Sequence, residues 1–377
     1  MTGAHLSDPT FRPILIVLDG KPVTELPEED RRFLFLAEPL FPGNYNLFFR
    51  HGEYLGKEKK DFNEAIPRLK KALEIQPKSR EVFDVLAFCH EQLKQTADEL
   101  RCWESLREIV ELSTDSADLG YQEKVFKSLG KLANENGKDI VRRNRFIVYV
   151  PHKSEYDFVL DELSDSRLEE IYAQVTGDLD CIPDSRTSIL VLTPDEFADV
   201  KPTSWAGAFA EGKKSMTLPV TLFSKTKPDK PLPCRRVIVH EYTHNIVHIS
   251  AGGKCPKWLN EGMAEYEESK NDSFIEYIPI SSRKSMNFDP LLTPEELEKK
   301  FQDIKSQEGG PEVQKAYFQA KLFARFLVEK FTLAGVRQIL NGIKGNMTTE
   351  AVLKEVTQLS LPAFQAQFKK WLRELDK

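Results

Sequence analysis

Two histidines four positions apart, His240 and His244, constrain this chain more strongly than any other feature of its sequence. They lie in the stretch VIVHEYTHNIVH, whose apolar residues favour a buried helix. On a helix, residues four apart share one face and lie about 6 Å apart along the axis, so two imidazoles can reach one ion. Glu241 follows roughly 100° around the helix, which puts its carboxylate beside that ion. The stretch therefore predicts a metal-binding helix with an adjacent base.

A second acidic segment, PKWLNEGMAEYEE, follows at residues 256–268. Sixteen residues separate its Glu261 from His244. The intervening SAGGKCP has glycines suited to end one helix and a proline suited to precede the next. Glu261 and Glu265 are four apart and share a helix face. One of them can bind the ion, and the other can accept the imidazole N–H of a ligand histidine.

HExxH followed at this distance by WLNEGMAEY resembles the gluzincin zinc metallopeptidases, which include thermolysin and aminopeptidase N. It resembles most closely their peptidase MA-like bacterial branch. The likeness runs from about Arg145 to the C-terminus, through RFIVYV, ILVLTPDEF and AYFQAKLFARFLVEKF. It implies a zincin-like catalytic domain with a small mixed sheet, an HExxH active-site helix and a helical C-terminal lobe.

The same resemblance implies roles for individual residues. One zinc ion would be held by His240, His244 and Glu261. Glu241 would be the general base for a zinc-activated water, because a catalytic zinc with three protein ligands keeps its fourth position open. With three ligands supplied, Cys255 is not expected to bind the ion.

The same resemblance implies further assignments outside the ligands and the base. Glu265 corresponds to a carboxylate beside the first ligand histidine, although helix faces often carry glutamates at this spacing. Tyr317 corresponds to a tyrosine that hydrogen-bonds the tetrahedral intermediate, but a tyrosine beginning an apolar helix also serves packing. His248 does not fit the metzincin spacing and is expected to be structural or to line a channel. A substrate-pairing edge strand is expected at Gly207, Ala208, Phe209 and Ala210.

These residues predict a zinc metallopeptidase that hydrolyses peptide bonds, with endopeptidase action as the default. One alternative is a catalytically silent zincin-like binding or scaffold protein that recruits a protein partner through helical repeats. A further alternative is an aminopeptidase, because GAFAE is faintly similar to the exopeptidase motif GAMEN. The asparagine of that motif is absent.

The remainder of the chain suggests an α+β, mainly helical protein with four regions. Residues 1–50 are expected to form a strand-bearing cap around ILIVL, and residues 51–141 a helical domain. In the helical domain, EAIPRLKKALEIQP overlays RCWESLREIVELS at an offset of 37 positions, which resembles a tetratricopeptide repeat despite Pro67. Residues 142–300 would carry the HExxH helix, and residues 301–377 the C-terminal lobe.

Composition limits the partners. Charged residues make up 30% of the chain and sum to −6, so nothing indicates nucleic-acid binding, and ILIVL is too short for a signal-peptide core or a membrane span. Five cysteines without a CxxC pair are expected to be buried free thiols. The cytoplasm is therefore favoured, unless an export signal has been removed. The expected partners are a peptide or protein substrate and a protein bound by the helical repeats.

Overall fold

The computed structural model describes residues 17, 19–111, 113, 115–152, 154–200, 208–211, 215–223, 233–270, 291–303 and 311–375. These residues contain fifteen α-helices and one mixed five-stranded sheet. The chain divides into an N-terminal unit, Met1–Asn136, and a C-terminal unit, Gly137–Lys377. The predicted mainly helical α+β fold is confirmed. In the described part of the chain, no helix is long and apolar enough to cross a membrane.

Three helices of the N-terminal unit begin at polar caps. The side chains of Asn44, Asp61 and Ser79 each accept a hydrogen bond from the backbone N–H three residues ahead, at 2.9, 3.2 and 3.3 Å. After two 3-10 turns, Val23–Glu25 and Glu28–Asp30, the helices are α1 Phe33–Ala37, α2 Tyr45–Lys57, α3 Phe62–Ile75, α4 Arg80–Gln92, α5 Thr96–Val110 and α6 Ser116–Glu135.

The predicted strand-bearing cap is wrong for the part of it that the structure describes. Residues 19–50 contain 3-10 turns and helices and no strand. Of the apolar run at residues 14–18, only Val17 lies within the described residues. The predicted boundary at residue 50 falls inside α2, and Leu47 and Tyr54 on either side of it share one core with Val17. Because its apolar residues pack in this shared core, the segment belongs to the helical unit and is not a separate cap.

Helices α2 to α6 pack consecutively, each against the next. Helices α3 and α5 cover the two segments related by the offset of 37 positions, and the aligned Leu69 and Leu106 are both fully buried. Gly52 of α2 allows close packing, because a Cβ there would lie 2.8 Å from Leu69 Cγ. Helix α3 continues through Pro67. The packing is that of successive helical hairpins, and the tetratricopeptide assignment stays a prediction.

Glu38, at the end of α1, joins α1 to two other helices. Its Oε1 lies 2.7 Å from His51 Nδ1 of α2 and 2.7 Å from Arg68 Nε of α3. Burial acts to raise the pKa of Glu38, but these two hydrogen bonds and the charges behind them outweigh it and lower the pKa below its ordinary value. The ionised carboxylate therefore helps to hold the three helices together.

The sheet of the C-terminal unit has the order β1-β2-β3-β5-β4. Strands β2 and β3 are parallel, as are β3 and β5, while β1 and β4 run antiparallel to β2 and β5 at the two edges. The strands are β1 Lys138–Arg142, β2 Phe146–Pro151, β3 Thr187–Leu192, β4 Phe209–Glu211 and β5 Ser215–Pro219.

Nine of the described helices belong to the C-terminal unit. They are α7 Asp157–Glu162, α8 Asp165–Leu179, α9 Pro194–Val200, α10 Pro233–Ser250, α11 Lys257–Ser269, α12 Pro294–Asp303, α13 Pro311–Lys344, α14 Thr349–Thr357 and α15 Leu361–Leu375. Helix α13 is interrupted at Thr332, whose φ of 65° and ψ of 169° are not helical.

Two further predicted domain boundaries cut through secondary structure. The boundary after residue 141 falls inside β1, and the chain divides after Asn136 instead. The boundary after residue 300 falls inside α12. A single core joins the sheet to α10, α11 and the C-terminal helices, so residues 137–377 form one unit.

Candidate metal centre

Helix α10 is anchored by an apolar face. Val239, Tyr242 and Ile246 are fully buried, and the Tyr242 ring packs on Phe146 of β2 with 5.1 Å between ring centroids. Burial of this face fixes the rotation of the helix about its axis. The histidines at positions 240 and 244 therefore lie on another face, toward α11.

The turn between α10 and α11 has the predicted chemistry. Gly252 and Gly253 have φ values of 61° and 77°, a left-handed region that glycine adopts readily. The Gly253 N–H donates to the His248 carbonyl oxygen at 2.8 Å, and Pro256 is the N-cap of α11. This turn brings α11 back against α10.

Three donor atoms converge between these two helices. Glu261 Oε2 lies 3.7 Å from His240 Nε2 and 3.5 Å from His244 Nε2. All three ligand atoms lie within 4.8 Å of one another. Ligand atoms bound to tetrahedral zinc at about 2.0–2.2 Å are about 3.3–3.6 Å apart. The spacing of the three donors therefore suits one tetrahedral ion with an open fourth position.

Glu268, which the sequence analysis did not single out, orients the first histidine. Its Oε2 lies 2.9 Å from His240 Nδ1, and Arg236 Nη2 lies 3.3 Å from its other oxygen. The prediction gave this role to Glu265, whose Oε2 instead lies 3.4 Å from Lys321 Nζ of α13. Glu268 is seven residues after Glu261, so two helical turns put both on one face, and this spacing was the available signal.

His244 has no such carboxylate within the described residues. Its Nδ1 is buried and without a hydrogen-bond partner there. The two imidazole rings are nearly perpendicular, at 85°, with 4.8 Å between centroids. The orientation of the second histidine therefore depends on packing within the helix pair.

The site carries more negative than positive charge. Four carboxylates lie there, those of Glu241, Glu261, Glu265 and Glu268. Arg236 forms an ion pair with Glu268, and Lys321 forms one with Glu265. Burial opposes protonation of His240, but Glu261 and Glu268 outweigh it and hold its pKa well above the ordinary value. The carboxylates thus draw positive charge into the space between the donors, which fits a divalent cation.

A second group of donors, His240 with Glu265 and Glu268, also clusters within 4.8 Å. Here both carboxylates already have cationic partners, Lys321 at 3.4 Å and Arg236 at 3.3 Å. A metal ion would have to displace these cations. We therefore interpret this second group as an ion-pair network that supports the first.

Glu241 lies beside the converging donors and is only 7% exposed. Burial raises the pKa of its carboxyl group, against the lowering effect of His244 and His240. A raised pKa makes the ionised carboxylate a stronger proton acceptor. The buried carboxylate therefore has the chemistry that a general base requires.

Tyr317 of α13 lies at the same site. Its ring packs edge-on against Phe301 at 5.1 Å. Burial, followed by the charges of Glu261, Glu265 and Glu241, raises the pKa of its hydroxyl. The tyrosine is therefore protonated at neutral pH and can donate a hydrogen bond.

Close contact between α11 and α13 brings Tyr317 to the candidate metal site. A Cβ at Gly262 would overlap the carbonyl oxygen of Ala320 and lie 3.2 Å from Ala324 Cβ. Only glycine permits this approach of the two main chains. The crossing point lies next to Glu261 in sequence and one turn from Tyr317.

The other residues named from the sequence are the predicted edge strand, His248 and the cysteines. Phe209 and Ala210 lie in β4, which is an edge strand and contacts α10, and Ala208 precedes it. Gly207 lies outside the described residues. Among the described residues, neither candidate donor group includes His248 or Cys255. All five cysteines are free thiols, as predicted, and three of them are buried.

Comparison with known proteins bears on the same part of the chain. Residues 197–374, slightly less than half of the chain, match the sequence model of the Peptidase MA superfamily. This span contains β4, β5, α10 to α14 and all but the last residue of α15, and with them every site residue described above. No curated protein and no solved structure matches the chain. The match supports a zincin-like peptidase domain at residues 197–374, with a peptide or protein as its substrate.

Proposed function

We propose that the protein is a zinc-dependent metallopeptidase that hydrolyses peptide bonds and acts as an endopeptidase. The observation that carries the proposal is the convergence of His240, His244 and Glu261 beside the buried carboxylate of Glu241. Catalytic zinc sites use three protein ligands, whereas structural sites use four. A binding protein would have no chemical need for a buried base at this place.

Zinc, when bound, would lower the pKa of a coordinated water and polarise the substrate carbonyl. Glu241 accepts a proton as the water attacks and delivers it to the departing amine nitrogen. A C–O bond forms and the C–N bond breaks, so the products are a carboxylic acid and an amine.

Two further elements would act on the substrate. The protonated hydroxyl of Tyr317 would donate a hydrogen bond to the oxygen that becomes negative during attack. The edge strand β4 would pair with the extended substrate backbone through the main-chain groups on the side away from β5. Neither contribution depends on a substrate side chain, so the reaction would tolerate varied sequences at the cleaved bond.

The test is metal analysis of the purified protein, together with cleavage of a peptide library with and without chelator. Glu241→Gln should retain one zinc per chain and lose turnover, because the side chain keeps its shape but cannot accept the proton. Glu261→Ala should lose zinc itself. His248→Gln, on the same helix but outside the donor group, is the matched control and should retain both zinc and turnover.

Each other outcome selects another function. Stoichiometric zinc without hydrolysis, combined with capture of a protein partner, would identify a scaffold. Release of single residues from the peptide N-terminus would identify an aminopeptidase. Hydrolysis that is unchanged after complete removal of metal would overturn the proposal.

A further inference from the structure

We propose that Lys321 is a positioning residue that holds Tyr317 at the site through its ion pair with Glu265, an inference that rests on the proposed peptidase function. Lys321 is only 7% exposed, although lysine is among the residues least often buried. A buried lysine needs a compensating partner, and Glu265 Oε2 lies 3.4 Å from its Nζ. Neither the metal ligands nor the base uses this pair.

The pair belongs to two matched rows of side chains. On α11, Glu261 and Glu265 are four residues apart, and on α13, Tyr317 and Lys321 are four residues apart. Each pair therefore shares one helix face. Lys321 Nζ lies 3.4 Å from Glu265 Oε2, so the two faces meet at this ion pair. Tyr317 lies one helical turn before the ion pair on α13.

The close crossing at Gly262 sets the distance between the helices, because Gly262 meets both Ala320 and Ala324. On the same side of α13, Phe323 packs on Trp258 of α11 with 5.6 Å between ring centroids. Lys321 follows Ala320, roughly 100° further around the helix. The ion pair at that position ties a second side of α13 to α11, and Tyr317 lies on the same face as Lys321.

The charges around Glu265 explain why the pair is needed. Besides Lys321, the groups that act on Glu265 are Glu268, which repels it, and His240, which attracts it. Without Lys321 the buried carboxylate would gain from moving away from Glu268 or from becoming protonated. Either change would break the tie between Lys321 and α11 and displace the nearby tyrosine hydroxyl. A misplacement of about 1 Å at a reacting centre can cost about a hundredfold in rate.

The experiment compares Lys321→Gln and Lys321→Arg in the zinc-loaded, full-length protein. We expect Lys321→Gln to lower kcat by about 10–100-fold, with KM and the zinc Kd within about threefold of the wild type. Lys321→Arg keeps the charge and should restore kcat to within about threefold. The matched control is Lys330→Gln, the same change at an exposed position of α13, which should alter none of these quantities.

A cycle with Glu265→Gln identifies the partner. If the two side chains act as a pair, the double variant should lose no more kcat and no more thermal stability than the worse single variant. Wild-type-like kcat in Lys321→Gln, or a loss of thermal stability with kcat retained, would overturn the proposal. A parallel loss of zinc affinity would also overturn it, since Lys321 would then act on the metal.

The role of the ion pair between Lys321 and Glu265 can be tested even if the protein is not a peptidase. If the zinc-loaded wild type cleaves no peptide, the cycle in thermal midpoint still decides whether Lys321 and Glu265 hold the helices together. If the losses in thermal midpoint of the two single variants add in full in the double variant, the pairing is refuted.

Discussion

Glu268→Gln tests the assignment of the carboxylate that orients His240. Glu268 Oε2 lies 2.9 Å from His240 Nδ1, and Arg236 holds the same side chain at 3.3 Å. A carboxylate on Nδ1 fixes the tautomer that leaves the Nε2 lone pair facing Glu261 and increases the basicity of the ring. Glutamine keeps the shape and one acceptor oxygen but loses the charge.

The expected magnitude follows from this geometry. Loss of such a partner weakens metal binding by about 10–100-fold, which corresponds to about 1.4–2.7 kcal/mol. Glu268→Gln should lie near the lower limit, because an amide oxygen can still accept from Nδ1 at the same distance. Glu268→Ala removes the acceptor as well and should lie near the upper limit.

The assay is a competition titration of metal-free protein with zinc against a chromophoric chelator at fixed pH. The control is Glu265→Gln, one turn earlier on the same face of α11 but paired with Lys321, and its zinc Kd should stay within about threefold of the wild type. Equal zinc affinity for the wild type and Glu268→Ala would refute the reasoning. A larger loss in Glu265→Gln than in Glu268→Gln would return the role to Glu265.

Three further predictions concern stability, each measured as a thermal midpoint of the full-length chain. Gly262→Ala forces a methyl group against the Ala320 carbonyl and should cost about 1–3 kcal/mol or more, whereas Gly177→Ala in α8, with open space around its Cβ, should cost nothing and gain up to about 1 kcal/mol. The lowered pKa of Glu38 gives stability that is complete above the ordinary glutamate pKa of about 4.3 and is lost as pH falls through the folded value, so the midpoints of the wild type and Glu38→Gln should converge toward pH 3. Thr332→Gly should raise the midpoint, because φ 65° with ψ 169° costs an exposed threonine about 1–3 kcal/mol. An unchanged midpoint in Gly262→Ala, a midpoint gap for Glu38→Gln that persists at pH 3, or a fall in Thr332→Gly would contradict the respective argument.

The sequence predicted the two helices of the site because their signals are local. The spacing of His240 and His244, the glycines of the turn and Pro256 each act within a few residues of one another. The choice between Glu265 and Glu268 is not local, since both share a face with Glu261. It depends on which cations face each carboxylate, and Lys321 lies 56 residues from Glu265 along the chain. Only the packing of α13 on α11 resolves this choice.

The first fifty residues illustrate a different limit on the prediction of secondary structure from sequence. Short apolar runs such as ILIVL and FLFLA do not distinguish a strand from a buried helix by periodicity alone. The structure makes FLFLA helical as α1, because Leu34 and Ala37 enter a core completed by Leu47 and Tyr54 of α2. The partner that decides the conformation lies further along the chain, so no local pattern could have indicated it.

The crossing at Gly262 also bears on how this site could tolerate mutational drift. Because the spacing of α11 and α13 is set by main chain against main chain, replacing neighbouring core side chains with others of similar size would leave the distance between Glu261 and Tyr317 nearly unchanged. The surrounding core can therefore vary while the site geometry persists. The same arrangement concentrates vulnerability at one position, where the smallest possible addition, one methyl group, would push apart the helices that carry Glu261 and Tyr317.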